Sequence, residues 1–376
     1  MKKLEKQEEV IMLNHMYDIP SPAVIVDLDV AERNIYRVTN AAKKEGINLR
    51  PHIKVHKSVY LAKKQIEAGA NGITVAKLSE AEVMVEGGID NILIAYPILG
   101  KEKWERLKKL NQKARILTTV DSIEVANGLN EIGTKDVPVN VLIEVDYGTH
   151  RCGVQPGDDF IKFALKLKEM EGIKIKGVFV YNGLIYGSRS IDEIRSHAEA
   201  EANLLKKCMK QLKDIGIEAC ISSGGNTPVT LALDKMRGVT EIRPGNFIYN
   251  DVSGIDLGTA EEKDCAIKIL ARVVSIPLPG HATIDAGTKT LTSDTAVKSP
   301  GFGYIVGMPD VTIIKLNEEH GFLKYDPNIR QVHVGQVIEI IPNHACVISN
   351  LCDYVYGVRN GKIEKEIKID ARGKNY

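Results

Sequence analysis

Short apolar runs alternate with longer amphipathic stretches over the first two thirds of the chain. The runs are rich in β-branched residues and cover 48–54, 72–78, 91–97, 115–122, 138–148, 175–183, 218–225 and 240–251. Between them apolar residues recur at the 3.6-residue spacing of helices, most clearly over 191–215, which we expect Asp192 to cap and Gly216 to end. Eight strand–helix alternations predict an α/β fold, a parallel sheet closed into a (β/α)8 TIM barrel. An open doubly wound sheet is the alternative, although no GxGxxG motif follows the first strand.

The pattern changes near residue 255, where long helical periodicity nearly disappears. Short strand-like segments separated by Gly, Pro, Asn and Asp follow at 264–276, 282–286, 311–316, 320–324, 336–341, 346–348 and 363–369. Such a pattern is typical of an all-β domain. A further strand, 23–29, precedes the first helix (31–45) and lies outside the count of eight, so we expect it to pair with the second domain. The sequence therefore predicts a barrel over 30–254 and a β domain over 255–376.

Composition excludes several classes of protein. The 376 residues carry 50 Lys and Arg against 49 Asp and Glu, a balance that gives no electrostatic reason to expect a nucleic acid or membrane partner. No apolar run approaches the roughly 18 residues of a membrane helix, and residues 1–16 lack the apolar core of a secretory signal. Six scattered cysteines favour a reducing compartment over a disulfide framework. We therefore expect a cytoplasmic protein.

The first barrel strand ends in a cluster of basic residues. Alternation along an extended strand places His52, Lys54 and His56 on one face, opposite two apolar residues. Since the apolar pair should face the helices, we expect the basic residues to face the barrel interior. A lysine that is partly desolvated beside other cations loses its proton more readily and can form a Schiff base with a carbonyl group. A lysine paired with a carboxylate inside the barrel is the structural alternative.

Polar residues also follow strands 5 and 6 of the predicted barrel. Arg151 lies in the loop after strand 5, where it can reach an anion or a ring nitrogen, and a solvated loop arginine is the alternative. Tyr181 ends strand 6 and can stack on a ring or hydrogen-bond to it, although core packing explains a tyrosine there equally well. Both residues are therefore candidates for contacts to a bound ring.

Glycine turns follow strands 7 and 8, the usual phosphate site of such barrels, because successive backbone N–H groups in glycine turns bind anions. The candidate residues are Gly224, Gly225, Asn226 and Thr227 after strand 7, and Gly245 and Asn246 after strand 8. Ordinary turn chemistry is the alternative. A lysine on strand 1 facing a phosphate site suggests pyridoxal 5′-phosphate (PLP), which has an aldehyde for the amine and a phosphate for the loops. His52 and Lys54 are then the candidate contacts on the side of the aldehyde.

The β domain contains one candidate metal motif, PNHAC at 342–346. On an extended strand His344 and Cys346 share one face, and an imidazole with a thiolate suits Zn²⁺. Two protein ligands leave coordination positions open, as expected of a catalytic ion and not of a structural one. A packed histidine beside a buried cysteine is the alternative for so short a motif.

Taken in order, these motifs resemble those of fold-type III PLP-dependent enzymes, and within them the D-serine dehydratase and D-threonine aldolase group. The matching segments are RPHIKVHK (50–57), VDYGTHRCGV (145–154), SSGGNTP (222–228), EIRPGNFIYND (241–251), IDAGTKTLTSD (284–294), EEHG (318–321) and PNHAC (342–346). The resemblance implies an alanine racemase-like barrel with a C-terminal β domain and PLP on Lys54. It implies cofactor contacts from Arg151, Tyr181 and the glycine loops. It also implies a divalent metal on His344 and Cys346, and a homodimer with shared active sites.

The metal pair and one departure from the group bear on the reaction. Dehydratases of the group have His-x-Cys and the bacterial aldolases commonly have His-x-Asp, so Cys346 favours a dehydratase. The dehydratases usually carry a histidine just after the Tyr-x-Gly of strand 6, where this chain has Leu184. An aldolase needs a base for the β-hydroxyl group, and His197 is a candidate for that role.

We therefore predict a lyase that depends on PLP and on Zn²⁺ or another divalent cation, and that converts D-serine or a D-threo-3-hydroxy amino acid to a keto acid and ammonia. Cleavage of D-threonine to glycine and an aldehyde is the alternative. An amino acid racemase is a further alternative, but it needs a second base and has no role for the metal pair. A PLP carrier protein resembles the barrel alone, and the β domain argues against it.

Overall fold

The computed structural model describes residues 15–376, so the expectation about a secretory signal, which concerns residues 1–16, falls largely outside the described residues. The first strand, β1 (Ala23–Asp27), leads directly into helix α1 (Leu28–Lys44). The side chain of Asp27 accepts a hydrogen bond from the backbone N–H of Val30 at 3.0 Å and so caps this helix.

Eight parallel strands and the helices between them follow. The strands are β2 (Asn48–Leu49), β3 (Ile73–Val75), β4 (Asn91–Pro97), β5 (Arg115–Val120), β6 (Val139–Val145), β7 (Ile173–Val180), β8 (Ile221–Gly224) and β9 (Glu241–Ile242). The helices are α2 (Val59–Glu67), α3 (Leu78–Glu86), α4 (Lys101–Asn111), α5 (Ile123–Ile132), α6 (Asp158–Lys168), α7 (Ile191–Asp214) and α8 (Val252–Asp256).

The eight strands form a barrel, which confirms the predicted fold class. Their order in the sheet is β2-β9-β8-β7-β6-β5-β4-β3. The two edge strands meet where His52 bridges Thr74, and the Thr74 N–H donates to the carbonyl of Pro51 at 2.8 Å. Inside the barrel, Leu93, Leu117, Leu142 and Phe179 form their own apolar cluster. The carboxyl ends of the strands therefore surround an opening above a packed floor.

The prediction for helix α7 was right in extent and wrong in its cap. Ser190, not Asp192, caps the helix, because its hydroxyl oxygen accepts a hydrogen bond from the Glu193 N–H at 3.2 Å. Asp192 lies in the first turn, where a carboxylate favours the helix dipole instead. Gly216 follows the last turn with a φ of +72°, a conformation that glycine adopts without strain.

A second sheet contains most of the remaining strands. They are β10 (Ile267–Leu278), β11 (His281–Ile284), β12 (Tyr304–Ile305), β13 (Thr312–Leu316), β14 (Gly321–Lys324), β15 (Val337–Ile341), β16 (Tyr354–Arg359) and β17 (Lys362–Lys368), with helices α9 (Thr288–Leu291) and α10 (Ala345–Ile348) between them. Strand β1 belongs to this sheet, antiparallel to β10 and parallel to β16. The predicted strand at 346–348 was wrong, since those residues lie in α10, and β16 was not predicted.

The barrel and the second sheet share one continuous apolar core. It runs from residues packed around the barrel, such as Val38 and Ile53, to Ile269 and Val355 of the second sheet. Among residues 15–376, no helix is both long and apolar enough to cross a membrane. The division at 254/255 stays a proposal, because the two sheets share an apolar core and the chain passes from β1 in the second sheet through α1 to the barrel.

Candidate active site

A cavity of about 750 Å³ lies at the carboxyl ends of the barrel strands, against the second sheet. Eleven of the twelve site residues predicted from sequence line it: His52, Lys54, Arg151, Tyr181, Gly225, Asn226, Thr227, Gly245, Asn246, His344 and Cys346. The exception is Gly224, the last residue of β8, which is buried behind the cavity wall. A Cβ atom at Gly224 would lie 2.7 Å from Leu205 Cδ1, so this glycine serves close packing against α7.

Lys54 projects into the cavity from a short 3₁₀ turn, Ile53–Val55. Its neighbour Lys57 forms a buried ion pair with Glu80 at 2.8 Å. By contrast, no carboxylate among residues 15–376 lies within 4.0 Å of Lys54 Nζ. The alternative in which Lys54 is only a salt-bridged barrel residue therefore has no support in the structure.

The predicted strand around Lys54 was wrong in its geometry. Strand β2 ends at Leu49, and the imidazole Nδ1 of His52 accepts a hydrogen bond from the Lys54 N–H at 3.4 Å, which favours a turn. His56 consequently points away from the cavity. It is fully buried, with Nε2 3.2 Å from Gln65 Oε1. The predicted trio of basic residues is thus a pair, His52 and Lys54.

Burial and the positive charges of its neighbours keep the imidazole of His52 neutral. Burial, together with the positive charges of Lys54 and Arg243, holds the pKa of His52 well below its usual range. Arg243 is itself buried and donates to the carbonyl of Val180 at 2.7 Å, and burial lowers its pKa to about 10. A neutral imidazole next to Lys54 is a hydrogen-bonding group and not a competing cation.

Arg151 and Tyr181 contact each other on the wall of the cavity. The guanidinium carbon of Arg151 lies 4.0 Å from the centroid of the Tyr181 ring, a cation–π contact. Nearby, burial raises the pKa of the Glu144 carboxyl to about 7. The arginine therefore has a fixed position beside a carboxyl group that is largely protonated below neutral pH.

The glycine loops offer hydrogen-bond donors to an anion. Within the described part of the chain, the backbone N–H groups of Asn226 and Gly245 have no acceptor. The hydroxyl of Thr227 accepts from the Asn246 N–H at 3.1 Å and brings the two loops together. A Cβ atom at Gly245 would lie 3.1 Å from the carbonyl oxygen of His52, so the absence of a side chain lets the loop approach the Lys54 turn. These donors fit a phosphate group.

His344 and Cys346 face the same cavity, but not from a strand. His344 precedes α10 and Cys346 lies in its first turn, because the chain leaves β15 at Pro342 and the buried carboxylate of Asp251 accepts from the Ala345 N–H at 2.9 Å. The same carboxylate lies 3.0 Å from His344 Nδ1, which leaves Nε2 for a metal. Burial lowers the pKa of His344, but hydrogen bonds with Asp251 and Cys346 raise it to about 11.

The donor set at this position fits a divalent metal with open coordination positions. An imidazole and a thiol two residues apart, with a carboxylate behind the imidazole, suit Zn²⁺. In the chain from residue 15 onward, no group of three or more His, Cys, Asp or Glu side chains is placed to hold a metal.

Two residues singled out in the sequence lie away from the cavity. His197 lies on α7 and does not line the cavity, and its backbone carbonyl accepts a hydrogen bond from the Asn182 side chain at 3.4 Å. The candidate base of the aldolase alternative is therefore not at this site. Leu184 is 48% exposed and also lies outside the lining, so its side chain does not replace a cavity histidine.

The sequence analysis missed four functional candidates: Lys77, Glu144, Glu201 and Asp251. Lys77 follows β3, and its Nζ lies 3.5 Å from the ring centroid of Tyr96, with no ion pair in the described chain. Glu144 is the next-to-last residue of β6 and was detectable as a carboxylate near the carboxyl end of a barrel strand. Asp251 ends the quoted motif 241–251, and its role as a helix cap was detectable from the spacing to Gly254.

Residues 26–252, more than half of the chain, match the family described as alanine racemase, N-terminal domain. The chain belongs to this family. Residues 266–358 match a second family, described as putative serine dehydratase domain. The two matches cover the barrel and most of the second sheet, and the overall fold is the alanine racemase-like one that the sequence predicted.

Individual relatives cover nearly the whole chain. The chain is 30% identical to a D-threo-3-hydroxyaspartate dehydratase of Delftia sp. (strain HT23), over 89% of this chain and 93% of the relative. It superposes on the crystal structure of a D-threonine aldolase from Filomicrobium marinum with a TM-score of 0.88 and 31% identity, covering 97% and 99% of the two chains. A cysteine mutant of D-threo-3-hydroxyaspartate dehydratase, in the metal-free form, also superposes, with a TM-score of 0.88, 28% identity and coverage of 94% and 98%. These family members include both dehydratases and aldolases.

Proposed function

We propose that the protein is a lyase dependent on PLP and a divalent metal that acts on a D-β-hydroxy amino acid. The leading reaction is dehydration of D-serine or a D-threo-3-hydroxy amino acid to a keto acid and ammonia. Retro-aldol cleavage to glycine and an aldehyde is the alternative. The observation that supports this proposal best is the placement of Lys54, the glycine loops and the His344–Cys346 pair around one cavity.

Three groups of residues would hold PLP. Lys54 would bind the aldehyde carbon, since its Nζ has no carboxylate partner. The N–H groups of Asn226 and Gly245 would bind the phosphate, and Arg151 and Tyr181 would contact the ring. Bound there, PLP supplies an electron sink for the pair of electrons released at the amino acid Cα.

Lys54 also moves the proton in the leading reaction. As a free amine, Lys54 would accept the proton from the substrate Cα. The neutral imidazole of His52 accepts a hydrogen bond from the Lys54 backbone and holds the turn in position. A divalent metal on His344 Nε2 and Cys346 Sγ supplies a Lewis acid for the β-hydroxyl group.

The placement of His197 favours dehydration over aldol cleavage. Dehydration needs one protein base at Cα, and Lys54 provides it. Cleavage needs a base at the β-hydroxyl, and the residue predicted for that role does not line the cavity. Pyruvate and ammonia from D-serine would support the first reaction, whereas glycine and an aldehyde from D-threonine would support the second.

The deciding experiment replaces Lys54. We expect Lys54→Ala to lose at least a thousandfold in turnover, the order of magnitude lost with a catalytic base and nucleophile, and to yield no PLP adduct after borohydride reduction. Lys63→Ala, an exposed lysine on α2, is the matched control and should retain both. A fully active Lys54→Ala protein with a reducible PLP adduct would overturn the proposal.

Racemisation is the remaining enzymatic alternative. Turnover that only inverts Cα, and that survives removal of divalent metal, would replace the lyase proposal. We further propose a homodimer with shared active sites, as the family resemblance implies, and a cytoplasmic location. All six cysteines, which lie in the described part of the chain, are free thiols, and this supports a reducing compartment.

A further inference from the structure

Asp251 joins the loop after β9 to the loop that carries His344. Its side chain is 0% exposed. Oδ2 accepts hydrogen bonds from the Asn246 side-chain amide at 2.7 Å, from the Ala345 backbone N–H at 2.9 Å and from His344 Nδ1 at 3.0 Å. Oδ1 accepts from the Gly254 N–H at 2.9 Å. Four donors therefore meet at one buried carboxylate.

The donors on the two sides of this carboxylate belong to different ligand sites. Asn246 is part of the phosphate loops, and its backbone N–H donates to the Thr227 hydroxyl. His344 is one of the two candidate metal ligands. The two segments are also linked by the side chain of Ser253, whose hydroxyl donates to the Asn343 carbonyl at 2.8 Å. Asp251 is the one side chain of the described structure that hydrogen-bonds to both Asn246 and His344.

We propose that Asp251 is a positioning residue that couples the binding of the divalent metal to the binding of PLP. This inference rests on the proposed function. A metal on His344 Nε2 would fix the imidazole and strengthen the hydrogen bond from Nδ1–H to Asp251. Phosphate at the glycine loops fixes the side chain of Asn246. Each ligand therefore orders the carboxylate on which the other site depends, and the second ligand loses less conformational freedom on binding.

Thermodynamic linkage allows the coupling to be measured through the affinity for Zn²⁺ or through the affinity for PLP. If PLP tightens the binding of Zn²⁺ by some factor, Zn²⁺ tightens the binding of PLP by the same factor. We expect a factor on the order of ten, within the usual range for coupled sites. The dissociation constant of Zn²⁺ is measured by competition with a chelating dye, with and without saturating PLP. The dissociation constant of PLP is measured by quenching of protein fluorescence, with and without Zn²⁺. Neither readout depends on turnover.

The test variant is Asp251→Asn, which keeps the size of the side chain and removes its charge. We expect both dissociation constants to rise and the coupling factor to fall to within about twofold of unity. Asp285→Asn is the matched control, because Asp285 also accepts hydrogen bonds from a backbone N–H and a hydroxyl, but it does not line the cavity. Wild-type coupling in Asp251→Asn, or no coupling in the wild-type protein, would overturn the proposal.

Asn246→Ala tests the same link if Asp251→Asn fails to fold. This variant leaves the contact between His344 and Asp251 in place, so Zn²⁺ affinity without PLP should stay within about twofold of wild type while the coupling is lost. Retained coupling would contradict the role of Asp251. Failure of the proposed function is a separate result, because it shows as a missing PLP adduct at Lys54 even when Zn²⁺ binds.

Discussion

The carboxylate of Glu201 accepts a hydrogen bond from the backbone N–H of Gly225 at 2.8 Å. Glu201 lies on α7 and Gly225 follows β8, so a helix side chain reaches behind the predicted phosphate loop. The N–H of Gly225 is therefore already engaged. The N–H groups of Asn226, in the same loop, and of Gly245, in the loop after β9, are left as donors to an anion. The other oxygen, Oε2, is buried and has no partner among residues 15–376.

Burial raises the pKa of Glu201 from 4.5 to about 7, which predicts a specific pH dependence of stability. Between these two values the carboxyl ionises only in the unfolded chain, so the free energy of unfolding falls as pH rises, and above the folded pKa the fall ends. Glu201→Gln removes this titration. We expect the stability of the variant relative to wild type to increase by about 3 kcal/mol from pH 4.5 to pH 7.5.

Urea unfolding at several pH values measures this difference. The control is Glu169→Gln, the same substitution at an exposed residue after α6, which leaves Glu201 in place. A constant difference between Glu201→Gln and wild type across the range would show that Glu201 ionises equally in the folded and unfolded chains.

A side chain at Gly225 should lower the stability of the folded protein. Its φ is +68°, and a Cβ atom would lie 2.8 Å from Ile242 Cγ2. We expect Gly225→Ala to lower the free energy of unfolding by about 1–3 kcal/mol through backbone strain and this close contact. Gly187→Ala is the control, because no atom lies within 4 Å of a Cβ there, and it should change stability by less than about 0.5 kcal/mol. Equal urea midpoints for the two variants would contradict the packing explanation.

Strand–helix alternation was sufficient to predict the barrel, because apolar periodicity records which face of each element is buried. It could not predict the local geometry at Lys54, where a hydrogen bond from the Lys54 N–H to the His52 ring turns the chain and buries His56 elsewhere. Similarly, His344 and Cys346 were found by residue type. The turn that presents them depends on Asp251, which is 93 residues away in sequence from His344.

Contacts between distant elements explain most of what the sequence did not show. Glu201 lies on the buried face of a long helix, where its spacing suits an apolar residue, and only the fold places Gly225 against it. His197, one turn before it, was placed at the site from its position in the sequence alone. In the structure His197 does not line the cavity, whereas Ala198 and Ala202 are among the buried residues of α7.

Removal of the divalent metal should lower turnover while PLP stays bound. Chelation of wild-type protein, or the substitution Cys346→Ala, is expected to lower dehydration of D-serine at least about a hundredfold, since the Lewis acid at the β-hydroxyl is lost. With PLP kept saturating, the visible absorbance of bound PLP should persist, and added Zn²⁺ should restore turnover only to the chelated wild-type protein. Cys220→Ala, an exposed cysteine, is the control for thiol loss. Undiminished turnover by metal-free protein would refute the role of this pair.

We expect Lys77 to bind a carboxylate of the substrate. Its Nζ lies over the Tyr96 ring on the cavity wall and has no carboxylate partner in the described structure, so it is available to an anionic substrate. We expect Lys77→Gln to raise KM for the amino acid about tenfold, because a hydrogen bond to a charged group is lost, and to change kcat less. Lys101→Gln, exposed at the start of α4, is the control.

Two substrates identify which carboxylate Lys77 contacts. An equal rise in KM for D-serine and D-threo-3-hydroxyaspartate places Lys77 at the α-carboxylate, which both share. A rise confined to the dicarboxylate places it at the second carboxylate and makes the dicarboxylate the better-matched substrate. The affinity for PLP should stay the same in either case. Lys77 follows β3 and contacts Tyr96 of β4, whereas the glycine loops follow β8 and β9. An unchanged KM for both amino acids would exclude Lys77 from substrate binding.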